Sequence, residues 1–164
     1  MRHTTMDTPA GPLTIVVGDT GAVRGSGFTA DVGDLLRLMH PALVEPTRSV
    51  ADVGRAGEAV RSYFDGDLTA LDAVPVQQRT GGAFMAHAWD VMRDIKAGSP
   101  VTYTGFAALA GRPLAVRAAA AACARNAAAP FVPCHRVLRT DGTLGGYRWG
   151  LPVKTWLLAH EGAA

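Results

Sequence analysis

The run Pro133-Cys134-His135-Arg136-Val137 places a thiol between a proline and two side chains able to carry positive charge. A cysteine attacks only as thiolate, and its reference pKa of about 8.5 must be lowered by an imidazolium, a guanidinium or a helix N-terminus before it reacts at neutral pH. His135 and Arg136 are the first two of those groups, and Pro133 fixes the backbone just before the sulfur. Residues adjacent in sequence point in different directions. His135 therefore has two routes to the thiol, through a water or by a turn in the chain. Inert packing is the plain alternative, because free cysteine is among the most frequently buried residue types. Cys123 is the second of two cysteines, and there is no C-x-x-C, so neither a disulfide framework nor a structural zinc site is expected. Two free thiols point to a reducing, cytoplasmic setting.

The elements around that run must position it. Phe84, Ala88, Val91, Met92 and Ile95 form one apolar helical stripe that ends at Gly98, with Pro100 closing the turn. Residues Tyr103 to Ala110 and Leu114 to Arg125 read as two helices separated by the breaker Gly111-Arg112-Pro113, the outline of a helix-turn-helix. The second of these has almost no side-chain bulk: Arg117 is followed by five alanines, Cys123, Ala124 and then Arg125. A helix that reads the major groove projects polar side chains toward base edges, whereas a smooth helix bracketed by arginines suits close backbone approach. Tight burial against neighbouring helices accounts for the same composition.

In the first half, Leu13 to Val17 and Ala22 to Phe28 flank Gly18-Asp19-Thr20-Gly21 and predict a hairpin. Val53, Ala56, Val60, Tyr63 and Phe64 recur at helical spacing behind Asp52 and ahead of Gly66, and Leu68 to Val76 reads as an extended return. The aperiodic segment Gln77 to Gly82 is the linker expected between an N-terminal α/β lobe with an antiparallel sheet, residues 1–81, and a mostly helical C-terminal lobe, residues 82–164. The chain is accordingly expected to be α+β.

With 48% hydrophobic and 18% charged residues in 164, the chain has enough apolar material for a core and is not disordered. The charge changes sign along it. Residues 1–81 carry seven basic and ten acidic side chains, net −3, and residues 82–164 carry nine and four, net +5. That asymmetry suits a second half that meets a polyanion, although basic surfaces are often only solubilising. The polar N-terminus lacks the apolar stretch that secretion requires, and no run reaches the roughly 18 apolar residues of a membrane span.

Pro133-Cys134-His135-Arg136-Val137 closely resembles the active-site motif of the O6-alkylguanine-DNA alkyltransferases, which take an alkyl group from guanine onto cysteine. The resemblance extends through Phe84 and Trp89, Arg117-Ala118, Asn126, Gly146-Tyr147-Arg148-Trp149-Gly150, and Lys154 to Gly162, and Thr8 to Leu13 looks like the opening of the family's N-terminal domain. The Arg148-Trp149 pair is similar to the Ada-type branch. The resemblance implies irreversible transfer to Cys134, with His135 as base acting through water and Glu161 as the carboxylate that orients and charges it. Tyr103 would give a hydrogen bond or proton to the flipped base, and Asn126 would hold the turn before the cysteine. Arg117 would fill the gap left by the extruded guanine, with Ala118, Ala121, Arg125 and Arg136 also on the DNA side. Tyr147, Arg148, Trp149 and Val137 would line the substrate pocket. The implied partner is double-stranded DNA containing O6-alkylguanine, bound by a monomer with no cofactor and no metal.

Several positions depart from the family pattern. Arg117-Ala118-Ala119-Ala120 stands where Arg-Ala-Val-Gly is usual, Asn126-Ala127 where Asn-Pro is usual, and Met85 where glutamine is common. None of these removes a functional side chain. Trp149 stands where much of the family has glycine, and a ring there is expected to narrow the pocket. Three other classes of function compete: a lesion-binding protein that does not transfer, an alkylation-responsive DNA-binding regulator, and a cysteine hydrolase. The first usually lacks the cysteine. The second needs base-reading side chains that the alanine-rich helix does not offer, and the third needs an oxyanion hole and turnover.

Overall fold

The structure, a computed structural model, describes residues 1–163. The chain is α+β and divides into two compact units, the first made of Met1–Arg79 with Ala127–Phe131 and the second of Thr80–Asn126 with the described residues from Val132 onward.

In the first unit, β1 (Arg2–Thr8), β2 (Gly11–Val17), β3 (Val23–Gly27) and β4 (Arg48–Ser49) form one sheet in the order β3-β2-β1-β4. The expected hairpin is β2–β3, antiparallel, and the apolar run Leu13, Ile15, Val16 and Val17 is wholly buried. β1 has no such run. Its signal is β-branched threonine rather than hydrophobicity, and it is held by full antiparallel pairing with β2, including a 2.7 Å hydroxyl contact between Thr5 and Thr14. Helix α1 (Val32–Leu38) is short and buries only Leu35, so it carries little periodicity. The Asp31 side chain, accepting from the Gly33 amide at 2.8 Å, starts it. Helix α2 (Arg55–Phe64) begins after Gly54, at φ +72°, while Asp52 accepts from the Gly54 amide and Val53 is buried just outside the helix.

Two expectations fail here. Residues 68–76 are not extended: the Asp67 carboxylate takes hydrogen bonds from the Thr69 amide and hydroxyl, and successive turns follow until Val76 bridges Val23. Nor is the second half contiguous as a unit. The Ser26 amide donates to the Ala127 carbonyl at 2.7 Å, the Ala127 amide to Gln78 Oε1 at 2.9 Å, and Ser26 bridges Ala128, so residues 127–131 join the sheet unit.

The second unit contains α3 (Ala83–Arg93), β5 (Val101–Thr102), α4 (Tyr103–Leu109), α5 (Val116–Ala124), β6 (Val137–Leu138) and α6 (Leu151–His160). Thr102 caps α4 by accepting from the Gly105 amide, and the turn into α5 passes through Gly111 at φ +87°, a left-handed conformation that glycine adopts without strain. The tight-burial reading of the alanine helix holds on one of its faces. Ala119 and Ala122 are fully buried, and Trp89 of α3 donates to the Ala122 carbonyl at 2.9 Å, while Arg117 and Arg125 are exposed at its two ends. The two-residue parallel pair β5–β6 sets Val101 beside Val137. Among the described residues, no helix is long and apolar enough to cross a membrane.

Candidate active site

Cys134 opens a single 3-10 turn, Cys134–Arg136, and is only 8% exposed. The backbone that presents it is tied down locally. The Asn126 side-chain amide donates to the Val132 carbonyl at 2.7 Å, and the Cys134 amide donates to the same carbonyl at 2.9 Å. Burial raises the Cys134 pKa, against which a hydrogen bond from Asn126 and the positive charges of Lys154 and Arg148 act. The resting group is therefore a thiol that needs a base.

His135 is fully buried, and its Nε2 lies 2.9 Å from Glu161 Oε2. Burial lowers the imidazole pKa further than the Glu161 hydrogen bond and charge raise it, so the ring is neutral at pH 7. Burial also pushes Glu161 upward, but hydrogen bonds from His135 and Arg136 hold its carboxyl far below the ordinary range, and it is ionised. A neutral imidazole facing an ionised carboxylate places its proton on Nε2. Nδ1 is then the bare nitrogen, and it is buried with no hydrogen-bond partner among the described residues. That is the state of a general base poised to take a proton.

Arg136 has a different place from the one expected. It is 4% exposed, its Nε and Nη2 each donate to Glu161 at 2.9 Å, and its Nη1 donates to the Ile95 carbonyl at 2.6 Å. A guanidinium with three bonds inside the protein is a structural counter-ion and not a DNA contact. Glu161, the residue that caps α6, thus meets both a neutral ring and a permanent cation.

A cavity of about 390 Å³ opens over the thiol. It is lined by Cys134, Asn126, Tyr103, Tyr147, Arg148 and Trp149, which the sequence places in one constellation, and by Gly146 and three residues of α5, Ala120, Cys123 and Ala124. Burial raises the Tyr103 pKa, so its hydroxyl keeps its proton and can donate. Val137 does not line the cavity. It is fully buried, paired with Val101, and its carbonyl accepts from Lys154. Arg117, Ala118, Ala121 and Arg125 lie on α5 or at its end, outside the cavity.

Two participants escape sequence reasoning. The Lys154 ammonium, buried in α6, donates to the carbonyls of Val137 at 2.9 Å, Leu144 and Gly146, which pins the loop that closes the cavity. Burial lowers its pKa, and the nearby thiols oppose that shift. A lone lysine in the helix Leu151–His160 gives no sign in the sequence of facing inward. Cys123 has a detectable signal, since Ala120, Cys123 and Ala124 share one face at helical spacing. Its thiol is pushed far above the ordinary value by burial and then by Cys134, which makes it a neutral lining group. Among the described residues, no group of three or more histidine, cysteine or acidic side chains could hold a metal ion.

Residues 83–163 match the model of the 6-O-methylguanine DNA methyltransferase DNA-binding domain. Over 159 residues the chain is 35% identical to the methylated-DNA–protein-cysteine methyltransferase of Shigella flexneri, covering 94% of this chain and 92% of that protein. Against the human protein of the same name the identity is 32% over 174 residues, covering 99% and 81%. The crystal structure of Mycobacterium tuberculosis OGT in complex with DNA superposes with a TM-score of 0.82 at 28% identity, over 100% of this chain and 95% of that one. The chain belongs to the methylated-DNA–protein-cysteine methyltransferase family.

Proposed function

We propose that this protein repairs DNA by moving the alkyl group of O6-alkylguanine irreversibly onto Cys134. The observation that carries the reading is the buried thiol beside a neutral His135 whose Nε2 is committed to ionised Glu161 and whose Nδ1 is free to accept a proton. The thiol proton passes to His135 through a water, and Glu161 stabilises the imidazolium that forms. The thiolate attacks the alkyl carbon in line. A carbon–sulfur bond forms as the carbon–oxygen bond to guanine breaks, the Tyr103 hydroxyl donates to the leaving base, and the proton held by His135 is finally returned to that base. The product is a thioether, which has no easy route back to thiol, so each molecule acts once. The displacement requires no cofactor.

An atom inside the base stack is out of reach, so the guanine has to be flipped into the cavity. We assign docking to α4 and α5, with α5 lying in the minor groove where its low bulk allows close approach and Arg117 replacing the extruded base. Residues 82–126 with 132–164 form the proposed DNA-binding and catalytic domain, and their net +5 favours the backbone contacts. Arg125, Ala118 and Ala121 belong to the same proposed contact surface. The partner is double-stranded DNA carrying O6-alkylguanine, met by a monomer in the cytoplasm.

Three experiments follow from this reading. Titration of a lesion duplex with protein is expected to saturate at one lesion removed per protein molecule; continued turnover would contradict the thioether product. Arg117→Ala is expected to slow repair of a duplex lesion at least about tenfold while changing repair of the same lesion in single-stranded DNA far less. Equal losses on the two substrates would remove Arg117 from the flipping step. Because Trp149 lines the cavity, methyl is expected to transfer at least about tenfold faster than benzyl. Equal rates would mean that the indole does not limit the pocket.

A further inference from the structure

One part of the cavity wall is Gly146 to Trp149, in the loop from Leu144 to Gly150, and two basic side chains secure that loop at different places. Lys154 holds its root through the carbonyls of Leu144 and Gly146. Its tip is a tight turn, with the Gly150 amide donating to the Tyr147 carbonyl at 3.1 Å and Gly150 at φ +100°. From this tip Arg148 Nη2 reaches the Ala124 carbonyl at 2.6 Å. Ala124 is the last residue of α5, whose terminal carbonyls have no partner within the helix, and a cation there is also favoured by the helix dipole. Trp149, the next residue, lines the cavity and makes no side-chain hydrogen bond among the described residues.

We infer that Arg148 is a specificity-determining latch: its bond to the end of α5 holds Trp149 over the cavity and thereby sets the largest alkyl group that Cys134 accepts. The inference rests on the alkyl-transfer reading. Arg148 is exposed, so the bond is one that water can replace, and the latch opens without disturbing the Lys154 anchor beneath it. Arg148 also lines the same cavity as Ala124 and Trp149. The latch acts through Trp149, and Arg148 is a positioning residue in this role.

The test measures transfer to Cys134 from DNA carrying O6-methylguanine or O6-benzylguanine, by intact mass, for the unaltered protein, Arg148→Ala, Arg148→Lys, Trp149→Gly and the Arg148→Ala/Trp149→Gly pair. The benzyl-to-methyl rate ratio is expected to rise about tenfold in Arg148→Ala, to return part of the way in Arg148→Lys, which keeps a donor of similar reach, and to rise about tenfold or more in Trp149→Gly. In the Trp149→Gly background, Arg148→Ala is expected to add less than about twofold, because two residues acting through one element are not additive. A ratio unchanged in Arg148→Ala overturns the latch, and so does an equal rise in both backgrounds. If the unaltered protein takes no methyl group on Cys134, the alkyl-transfer reading fails and the latch with it; methyl transfer with an unmoved ratio rejects the latch alone.

Discussion

Glu161→Gln is expected to slow methyl transfer by at least about a hundredfold and to destabilise the protein by about 3–5 kcal/mol. The carboxylate receives three hydrogen bonds, one from His135 and two from Arg136, all at 2.9 Å and all inside the protein. Gln presents one acceptor and a two-hydrogen donor, so at least one donor faces another donor, and the Arg136 charge is left buried without its counter-ion. The rate falls for a separate reason. Without the negative charge, the imidazolium that forms when Cys134 ionises is less stable, and the proton is harder to remove. Equilibrium urea unfolding reads the first effect, and single-turnover transfer under conditions where both proteins are folded reads the second. A variant as stable and as fast as the parent would show that the buried triad is not the working unit.

The same groups set the pH dependence of stability. Glu161 has a folded pKa far below its unfolded value, so its contribution is complete above the ordinary carboxylate range and is lost as pH falls toward the folded value. His135 acts in the same sense by a different route. Its folded pKa is depressed, so below about 6.5 the unfolded chain binds a proton that the folded ring resists, and stability falls with pH there as well. Both effects make the protein acid-sensitive, and the transfer rate is expected to keep its neutral-pH value to below the ordinary histidine pKa.

Cys134→Ala is expected to abolish alkyl transfer entirely while leaving binding to undamaged duplex within about twofold. The sulfur is the only acceptor in the mechanism, and Cys123, held neutral by burial and without a base, does not replace it. Nonspecific DNA affinity depends on phosphate contacts from exposed cations, and none of those proposed on α5 touches Cys134. The affinity should also keep the parent's salt dependence. Residual transfer to another side chain would place the chemistry elsewhere in the cavity.

Much of this architecture is legible in sequence wherever periodicity and punctuation agree. The helix carrying Phe84, Ala88, Val91 and Met92, the breaker at Gly111-Arg112-Pro113 and the β2–β3 hairpin all appear where the residues place them, although that helix ends at Arg93 and leaves Ile95 in the turn beyond it. β1 is not legible because a half-exposed strand of threonines lacks an apolar alternation, and residues 68–74 mislead because the Asx turn at Asp67 overrides their extended character. The attachment of residues 127–131 to β3 is a long-range pairing that no local signal encodes. Within the site, Cys134, Asn126, Tyr103, Tyr147, Arg148 and Trp149 converge on one cavity although they are spread over 47 positions. Arg136 illustrates the limit. A cation beside a reactive thiol suggests a phosphate contact, and only the packing against Glu161 and Ile95 reveals that it faces inward. Lys154 reverses the usual expectation for a helix lysine in the same way, because its role depends on carbonyls that the loop presents after folding.

The most direct test of the central claim is the intact mass of the protein, followed by peptide mapping, after reaction with a short duplex containing a single O6-methylguanine. The account predicts a gain of one methyl group, confined to the peptide bearing Cys134 and matched by one lesion lost per protein. An unmodified protein that binds the lesion duplex more tightly than plain DNA, or a methyl group found on any other residue, would contradict it.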